Sequence, residues 1–255
     1  MKKLSILISN DDGIDSAGLK ALVDVFSKDA DVYVIAPEGE RSSNSHHLNF
    51  RGKLRIEERK IPGTVKAYVL WGTPADCIHT GLCFLFKNRI DLVVSGINRG
   101  LNVSSDIMYS GTDAAAREAY LQGVPSVAVS LYRSDDPDYR TAAEYGKRLA
   151  YRYYESGRRD FFLNINVPDR KEEEIKGILI CDRQTKIHYR DEYSLIEEDG
   201  TEYINISSKD MWTEADPSDL RIDYCAVMAG YVSVSPLGNR HILPECAEDL
   251  KEILK

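Results

Sequence analysis

The feature that most constrains this chain is one stretch near its start, Leu4-Ser-Ile-Leu-Ile-Ser-Asn-Asp-Asp-Gly13. Leu4, Ile6, Leu7 and Ile8 form a near-continuous apolar run of strand length, the pattern of a strand buried on both faces. The run stops at Asn10, Asp11, Asp12 and Gly13. Residues 17–28 then place Leu19, Leu22, Val23 and Phe26 on the i, i+3, i+4, i+7 stripe of an amphipathic helix. The acidic pair therefore sits on a strand-to-helix turn at the carboxyl end of a buried strand, the edge along which open α/β sheets bind ligands.

The chemistry of that turn is unusual for its place. A dinucleotide-binding turn carries several glycines so that the backbone can approach a pyrophosphate. This one has Gly13 alone, preceded by two carboxylates. Carboxylates repel phosphate unless a cation lies between, so the turn reads as a divalent-metal site able to hold a phosphate ester. The same residues also fit a solvated turn in which Asp12 or Asp15 caps the following helix. On this stretch alone both readings stay open.

The rest of the chain repeats the strand-helix alternation. Val32-Tyr-Val-Ile-Ala36 is a second buried-type strand ending at Pro37, and the β-α-β order implies a parallel pair with a right-handed crossover. A polar loop over 37–47 follows, then two strands at 50–56 and 65–70 around Pro62-Gly63. Thr73, Pro74 and Asp76 start a helix in near capping-box form, reaching to about Phe86. Strands are expected at 91–95, 125–131 and 161–167, with helices from about 112 to Gly123 and over 138–156. Beyond a strand at 177–182, residues 186–207 alternate as a hairpin turning at Glu198-Asp199-Gly200. Residues 230–237 return as a strand and 244–255 as a helix. The expected architecture is a Rossmann-like α/β core over 1–182, with a mostly parallel sheet flanked by helices. A C-terminal extension over 183–255 carries a β-hairpin arm (183–229), the returning strand and the terminal helix.

Composition narrows the function classes. A net charge of −8 and a pI near 5.3 argue against a nucleic-acid polymer or an anionic membrane as partner. Cys77, Cys83, Cys181, Cys225 and Cys246 lack CxxC spacing and read as reduced core thiols. No signal-peptide pattern and no long apolar span occur, so a cytoplasmic protein without a membrane segment is expected.

Three strand ends carry oxygen ligands or anion donors: Asn10-Asp11-Asp12, the Arg41-Ser42 loop, and Gly96 to Asn102. If those strands are neighbours, the clusters share one edge and form a hard, all-oxygen set suited to Mg²⁺, Mn²⁺ or Ca²⁺. Ser110-Gly111-Thr112 at a helix start supplies N–H groups, hydroxyls and the positive helix end, a phosphate cradle, although plain N-capping accounts for the hydroxyls equally well. His46, in the polar loop, is a further candidate for touching substrate or leaving group.

These motifs, in this order, resemble the SurE family of survival-protein nucleotidases. The resemblance runs through Ser9-Asn-Asp-Asp-Gly-Ile14, Glu40-Arg-Ser42, Gly72-Thr-Pro-Ala-Asp-Cys77, Ser95-Gly-Ile-Asn-Arg-Gly100, Tyr109-Ser-Gly-Thr112 and Gly230-Tyr-Val-Ser-Val-Ser-Pro-Leu237. It implies one divalent metal ion, Mg²⁺ or Mn²⁺ foremost, on Asp11, Asp12, Ser42 and Asn98, and phosphate contacts from Asn98, Ser110, Gly111 and Thr112. Asp11, Asp12 and Asn98 would form the catalytic set. It further implies hydrolysis of nucleoside 5′-monophosphates, with 3′-nucleotides and short polyphosphate as open substrates, and a homodimer or homotetramer joined through the arm. A nucleotide-sugar transferase and a non-catalytic metal- and nucleotide-binding stress module are the alternatives. The chain departs from the family pattern at Ser43 to His46, where a glycine is replaced, and at Ser104 and Ser105. It departs again at Asp113, an acid in place of an apolar residue, expected to face outward as a favourable anion in a first helical turn.

Overall fold

The computed structural model describes residues 3–239. In chain order the elements are β1 (Ser5–Ser9), α1 (Ala17–Phe26), β2 (Asp31–Pro37), β3 (Ile56–Arg59), β4 (Thr64–Leu70), α2 (Pro74–Thr80), β5 (Leu92–Arg99) and α3 (Gly111–Leu121). There follow β6 (Ser126–Leu131), α4 (Tyr139–Glu155), β7 (Phe162–Val167), β8 (Ile178–Ile180), β9 (His188–Glu198), β10 (Thr201–Trp212), α5 (Asp223–Met228) and β11 (Val232–Leu237). A nine-stranded sheet runs in the order β3-β4-β2-β1-β5-β6-β7-β11-β8. Its centre is parallel, and the antiparallel pairs are β3 with β4 and β7 with β11. The expected α/β fold with a mostly parallel sheet is the fold observed.

The first strand is apolar at successive positions because both of its faces are covered. Ile6 and Ile8 join a core with Leu19, Leu22 and Phe26 of α1 and Ala143 and Tyr153 of α4. Leu7 points the other way, into a second core with Cys77 and Ile78 of α2 and Ala115 and Ala119 of α3. All three β1 side chains are fully buried, each contributing about 1.5–3 kcal/mol of transfer free energy. The small alanine face of α3 lets that helix lie close to the sheet, where it brings its N-terminus up to the carboxyl end of β1.

Some boundaries differ from the pattern-based expectation. The hairpin before α2 begins at Ile56, not residue 50; Phe50 is exposed and pairs with nothing in the sheet. The helix expected to continue to Phe86 changes to a π-helical turn at Gly81–Leu85, with Phe86 N donating to Gly81 O. The hairpin turns where expected, at Asp199-Gly200, but β10 runs on to Trp212 through an irregularity between Lys209 and Met211. It forms a two-stranded sheet of its own. Cys77, Cys181 and Cys225 are buried free thiols, whereas Cys83 is exposed and corrects the expectation of a core thiol. On its π-helical turn Gly81 and Leu82 are buried, Cys83 takes the exposed side, and its thiol donates to Gln122. Among the described residues no helix is long and apolar enough to cross a membrane. The expected 244–255 helix, with Cys246, lies outside the described residues.

Candidate active site

The chain passes from β1 to β2 on one side, then returns to place β5 on the other side of β1. That reversal opens a crevice at the carboxyl ends of β1 and β5, the ligand position of open α/β sheets. Ser9 of β1 is level with Ser95 of β5, so Asp11 and Asp12 emerge beside Asn98. The Arg41-Ser42 loop beyond β2 is tied to the same point by Arg41 N donating to Asp11 O at 2.7 Å. The three polar strand ends thus do share one edge.

The turn after β1 is held by Asn10, whose side-chain amide donates to Gly13 O at 3.0 Å and to Ser16 Oγ at 2.6 Å, while Gly13 N donates back to Asn10 Oδ1. Ser16, not Asp12 or Asp15, caps α1 by accepting from Leu19 N. The capping alternative therefore goes to Ser16, which leaves the acidic pair free of structural duty at the helix start. Asp11 is buried and accepts from the Thr112 hydroxyl at 2.5 Å. Burial nonetheless raises its proton affinity above the ordinary carboxylate value. Asp12, partly exposed, is pushed up to about 6, first by burial and then by the charge of Asp11; a backbone N–H from Arg99 works in the opposite direction. Two adjacent carboxylates that both resist ionisation form a site whose energy falls when a cation arrives.

Gly111 shows how closely α3 approaches. A Cβ there would stand 2.8 Å from Asp11 Cβ and 3.0 Å from its Oδ2, so only glycine lets the helix end meet the carboxylate. The Ser110 Oγ caps α3 by accepting from Asp113 N at 2.9 Å, and its hydroxyl hydrogen remains available to an anion. The Thr112 hydroxyl is spent on Asp11, so it orients the carboxylate and is not itself a donor to phosphate. The Asn98 amide nitrogen donates to Gly100 O at 2.9 Å, which leaves Oδ1 as its free atom. That orientation suits a cation ligand rather than a phosphate donor. Ser42 is exposed on the crevice and its hydroxyl donates to Glu40 at 2.7 Å, leaving lone pairs on Oγ. Among the described residues no three His, Cys, Asp or Glu side chains gather as a metal cluster. The donors on offer are two carboxylates, an amide oxygen and a hydroxyl, which fit a hard divalent cation and do not fit a soft one.

His46 does not line the crevice. Its Nε2 lies 3.0 Å from Glu118 Oε2, and His79 Nδ1 lies 2.8 Å from Glu118 Oε1, so Glu118 clamps the loop to α3. Burial works to raise the Glu118 carboxyl, but hydrogen bonds from His46, His79 and Gln122 outweigh it and hold it at about 2. Asp113 corrects the expectation that it faces outward. It is completely buried with neither carboxylate oxygen hydrogen-bonded, and burial pushes it to about 7 although Arg117, one turn on, favours its charge. The reason is geometric: α3 lies on β5 and β6 with its whole first turn, Gly111 to Ala114, buried, so the position has no route to water.

The crevice is a cavity of about 780 Å³ and includes residues to which the sequence reading gave no role: Glu40, Arg99, Arg133, Tyr139 and Tyr189. Arg133 and Tyr139 follow the carboxyl end of β6, so the rule that found Asp11 also points to them. Tyr189 comes from the hairpin arm and has no local signal at all.

Along most of its length the chain is similar to known proteins. The profile of the family described as Survival protein SurE matches residues 6–191. The chain is 43% identical over 241 residues to the 5′-nucleotidase SurE of Clostridium botulinum strain Eklund 17B, covering 92% of this chain and 93% of that protein. It is 42% identical to the 5′-nucleotidase SurE of Clostridium beijerinckii, covering 92% of each. The crystal structure of the SurE protein from Aquifex aeolicus superposes with a TM-score of 0.81 at 32% identity, over 98% of this chain and 100% of that one. With the crevice built from the same motifs that carry the resemblance, the chain belongs to the SurE survival-protein family.

Proposed function

We propose that the chain is a divalent-metal-dependent 5′-nucleotidase that hydrolyses nucleoside 5′-monophosphates to nucleoside and phosphate. Its clostridial relatives bear the name 5′-nucleotidase SurE. The observation that carries the reading is the contact between the Asp11-Asp12 pair and the N-terminus of α3 at Ser110-Gly111, which sets a cation-binding pair against an anion-binding helix end. Asp11, Asp12, Asn98 Oδ1 and Ser42 Oγ would hold the ion, Mg²⁺ or Mn²⁺ by the hardness of the set. When bound, such an ion polarises a phosphate ester and makes water acidic enough to attack it. The Ser110 hydroxyl and Gly111 N–H bind phosphoryl oxygens, helped by the positive end of the helix. Thr112 keeps Asp11 in place. Asp12, the less buried of the pair and open to the cavity, accepts the proton of the attacking water.

The cavity has room for a nucleoside beyond the phosphate. A reducing cytoplasmic setting fits the four described cysteines, all free thiols. The arm supports assembly as a homodimer or homotetramer: Tyr193, Leu195, Ile204 and Ile206 are 60–68% exposed on an isolated hairpin, a form that is marginal alone and gains by being covered.

The test is phosphate release from 5′- and 3′-nucleoside monophosphates and short polyphosphate with Mg²⁺, Mn²⁺ or EDTA, for wild type and Asp12→Ala. Metal-dependent release from 5′-nucleotides that Asp12→Ala abolishes is the expected result. Transfer to a sugar without free phosphate would instead mark a nucleotide-sugar transferase, and metal-dependent binding without turnover a non-catalytic module.

A further inference from the structure

The outer wall of the cavity is built by the arm. Tyr189, Asp191 and Ser208, from β9 and β10, line the same space as Asp11 and Asp12. The root of the arm is stitched to the 3-10 turn Ser104–Met108 that leads into the phosphate-binding end of α3. Ser105 N donates to Thr185 O at 3.2 Å, Ile187 N donates to Ser105 Oγ at 2.9 Å, and the Tyr189 hydroxyl donates to the Asp106 carboxylate. Asp106 in turn closes the turn, since its carbonyl accepts from Tyr109 N at 2.9 Å, one residue before Ser110. The same segment also holds the metal-ligand loop: Ser45 N donates to Tyr109 O at 3.0 Å and Ser45 Oγ to Met108 O at 2.9 Å.

Two acids bracket this turn. Asp223 is buried and takes both the N–H and the hydroxyl of Ser104. Asp106 is buried too, feels the charge of Asp223, and has the Tyr189 hydroxyl as its donor from the arm. Removing that hydroxyl leaves the carboxylate with only the long contact from Ser105 Oγ at 3.5 Å, beside a second carboxylate, and frees the turn from the tie that sets it against the arm. Movement there displaces Tyr109 and Ser110 together, and a displacement of about 1 Å at a reacting group is enough to cost a hundredfold in rate.

We infer that Tyr189 is a positioning residue for the nucleotidase reaction. Its hydroxyl on Asp106 sets the 104–110 segment, so the seating of the arm governs the alignment of phosphate against the acidic pair. The inference rests on the nucleotidase reading of the site. Catalysis is thereby tied to whatever holds the arm in place.

The experiment measures kcat and KM for a nucleoside 5′-monophosphate and for phenyl phosphate, which lacks a nucleoside. Wild type, Tyr189→Phe, Asp106→Ala and the double variant are compared, each with its thermal midpoint and oligomeric state. Tyr189→Phe keeps the ring and the cavity wall and removes only the hydroxyl. The expected result is a fall in kcat of about tenfold or more with both esters, little change in KM, and a double variant no slower than Asp106→Ala alone. The midpoint and oligomeric state of Tyr189→Phe stay near those of wild type. Unchanged kcat in Tyr189→Phe overturns the inference, as do additive losses in the double variant. A raised KM confined to the nucleotide also overturns it, since Tyr189 would then only touch the nucleoside. A wild type inactive on both esters removes the nucleotidase reading and this inference with it, whereas an active wild type with an indifferent Tyr189→Phe removes the inference alone.

Discussion

Asp113 holds a completely buried carboxylate with neither oxygen hydrogen-bonded to the rest of the protein. Its carboxyl is pushed by burial from 3.8 to about 7, so between those values the folded chain keeps a proton that the unfolded chain has released. The folded state binding more protons means that stability falls as pH rises through that window. Asp113→Val, which returns the apolar character of the family pattern, should therefore raise the thermal midpoint at pH 8, by a free energy of a few kcal/mol, and change it little at pH 4. Melting curves of both proteins at the two pH values check this; an equal shift at both would show that the charge is not the cause. Gly111→Ala acts at the same scale by crowding. Its methyl would press on Asp11, so we expect a loss of about 1–3 kcal/mol in denaturant unfolding together with weaker Mn²⁺ binding by calorimetry.

At the scale of elements, the loop that carries Ser42 owes its position to α2 and α3. Glu118 of α3 receives both His46 and His79, Thr73 Oγ1 donates to His47 O, and Asp76 accepts from Asn49 N at 2.8 Å as well as completing the capping box of α2. Glu118→Gln removes the charge that two imidazoles share. We expect it to lower stability by about 1–3 kcal/mol near neutral pH and to speed amide hydrogen exchange across 41–49 while leaving α1 and β7 protected. The Glu118 carboxyl is held below its ordinary 4.5, at about 2. The folded chain is thus the one that gives up this proton first. Its contribution is complete above about pH 4.5 and is lost as pH falls toward 2, so the difference between Glu118→Gln and wild type should shrink over that range.

For the whole molecule, the arm is the element least able to stand alone. It is a two-stranded sheet with apolar side chains on the surface, joined to the body at the Ser104–Met108 turn. Leu195→Asp combined with Ile204→Asp should shift the mass measured by light scattering from a multiple of the 28.8 kDa chain to the chain itself. Because Tyr189 belongs to the same strand as Leu195, the dissociated variant should also lose most of its nucleotidase activity while its core unfolds at nearly the wild-type temperature. Full activity in a confirmed monomer would separate assembly from catalysis.

What the sequence determined by itself was whatever is encoded within a few residues. Strand-helix alternation, the apolar run of β1, the switch to Asn10-Asp11-Asp12, the capping residues of α2 and the Asp199-Gly200 turn are local patterns. Each is set by periodicity or by a turn's own conformational needs. The metal-type chemistry of the edge was legible for the same reason, because polar residues at strand ends are displaced from the core by the strands themselves. The tertiary structure decided which atoms remain free. Thr112 is spent on Asp11 across a separation of 101 residues, Ser104 on Asp223 across 119 and Tyr189 on Asp106 across 83. His46 is turned to Glu118, and Asp113 is sealed under α3. No pattern within one helix or strand records those pairings, since a side chain's burial and its hydrogen-bond partners belong to surfaces that meet only when the chain is packed.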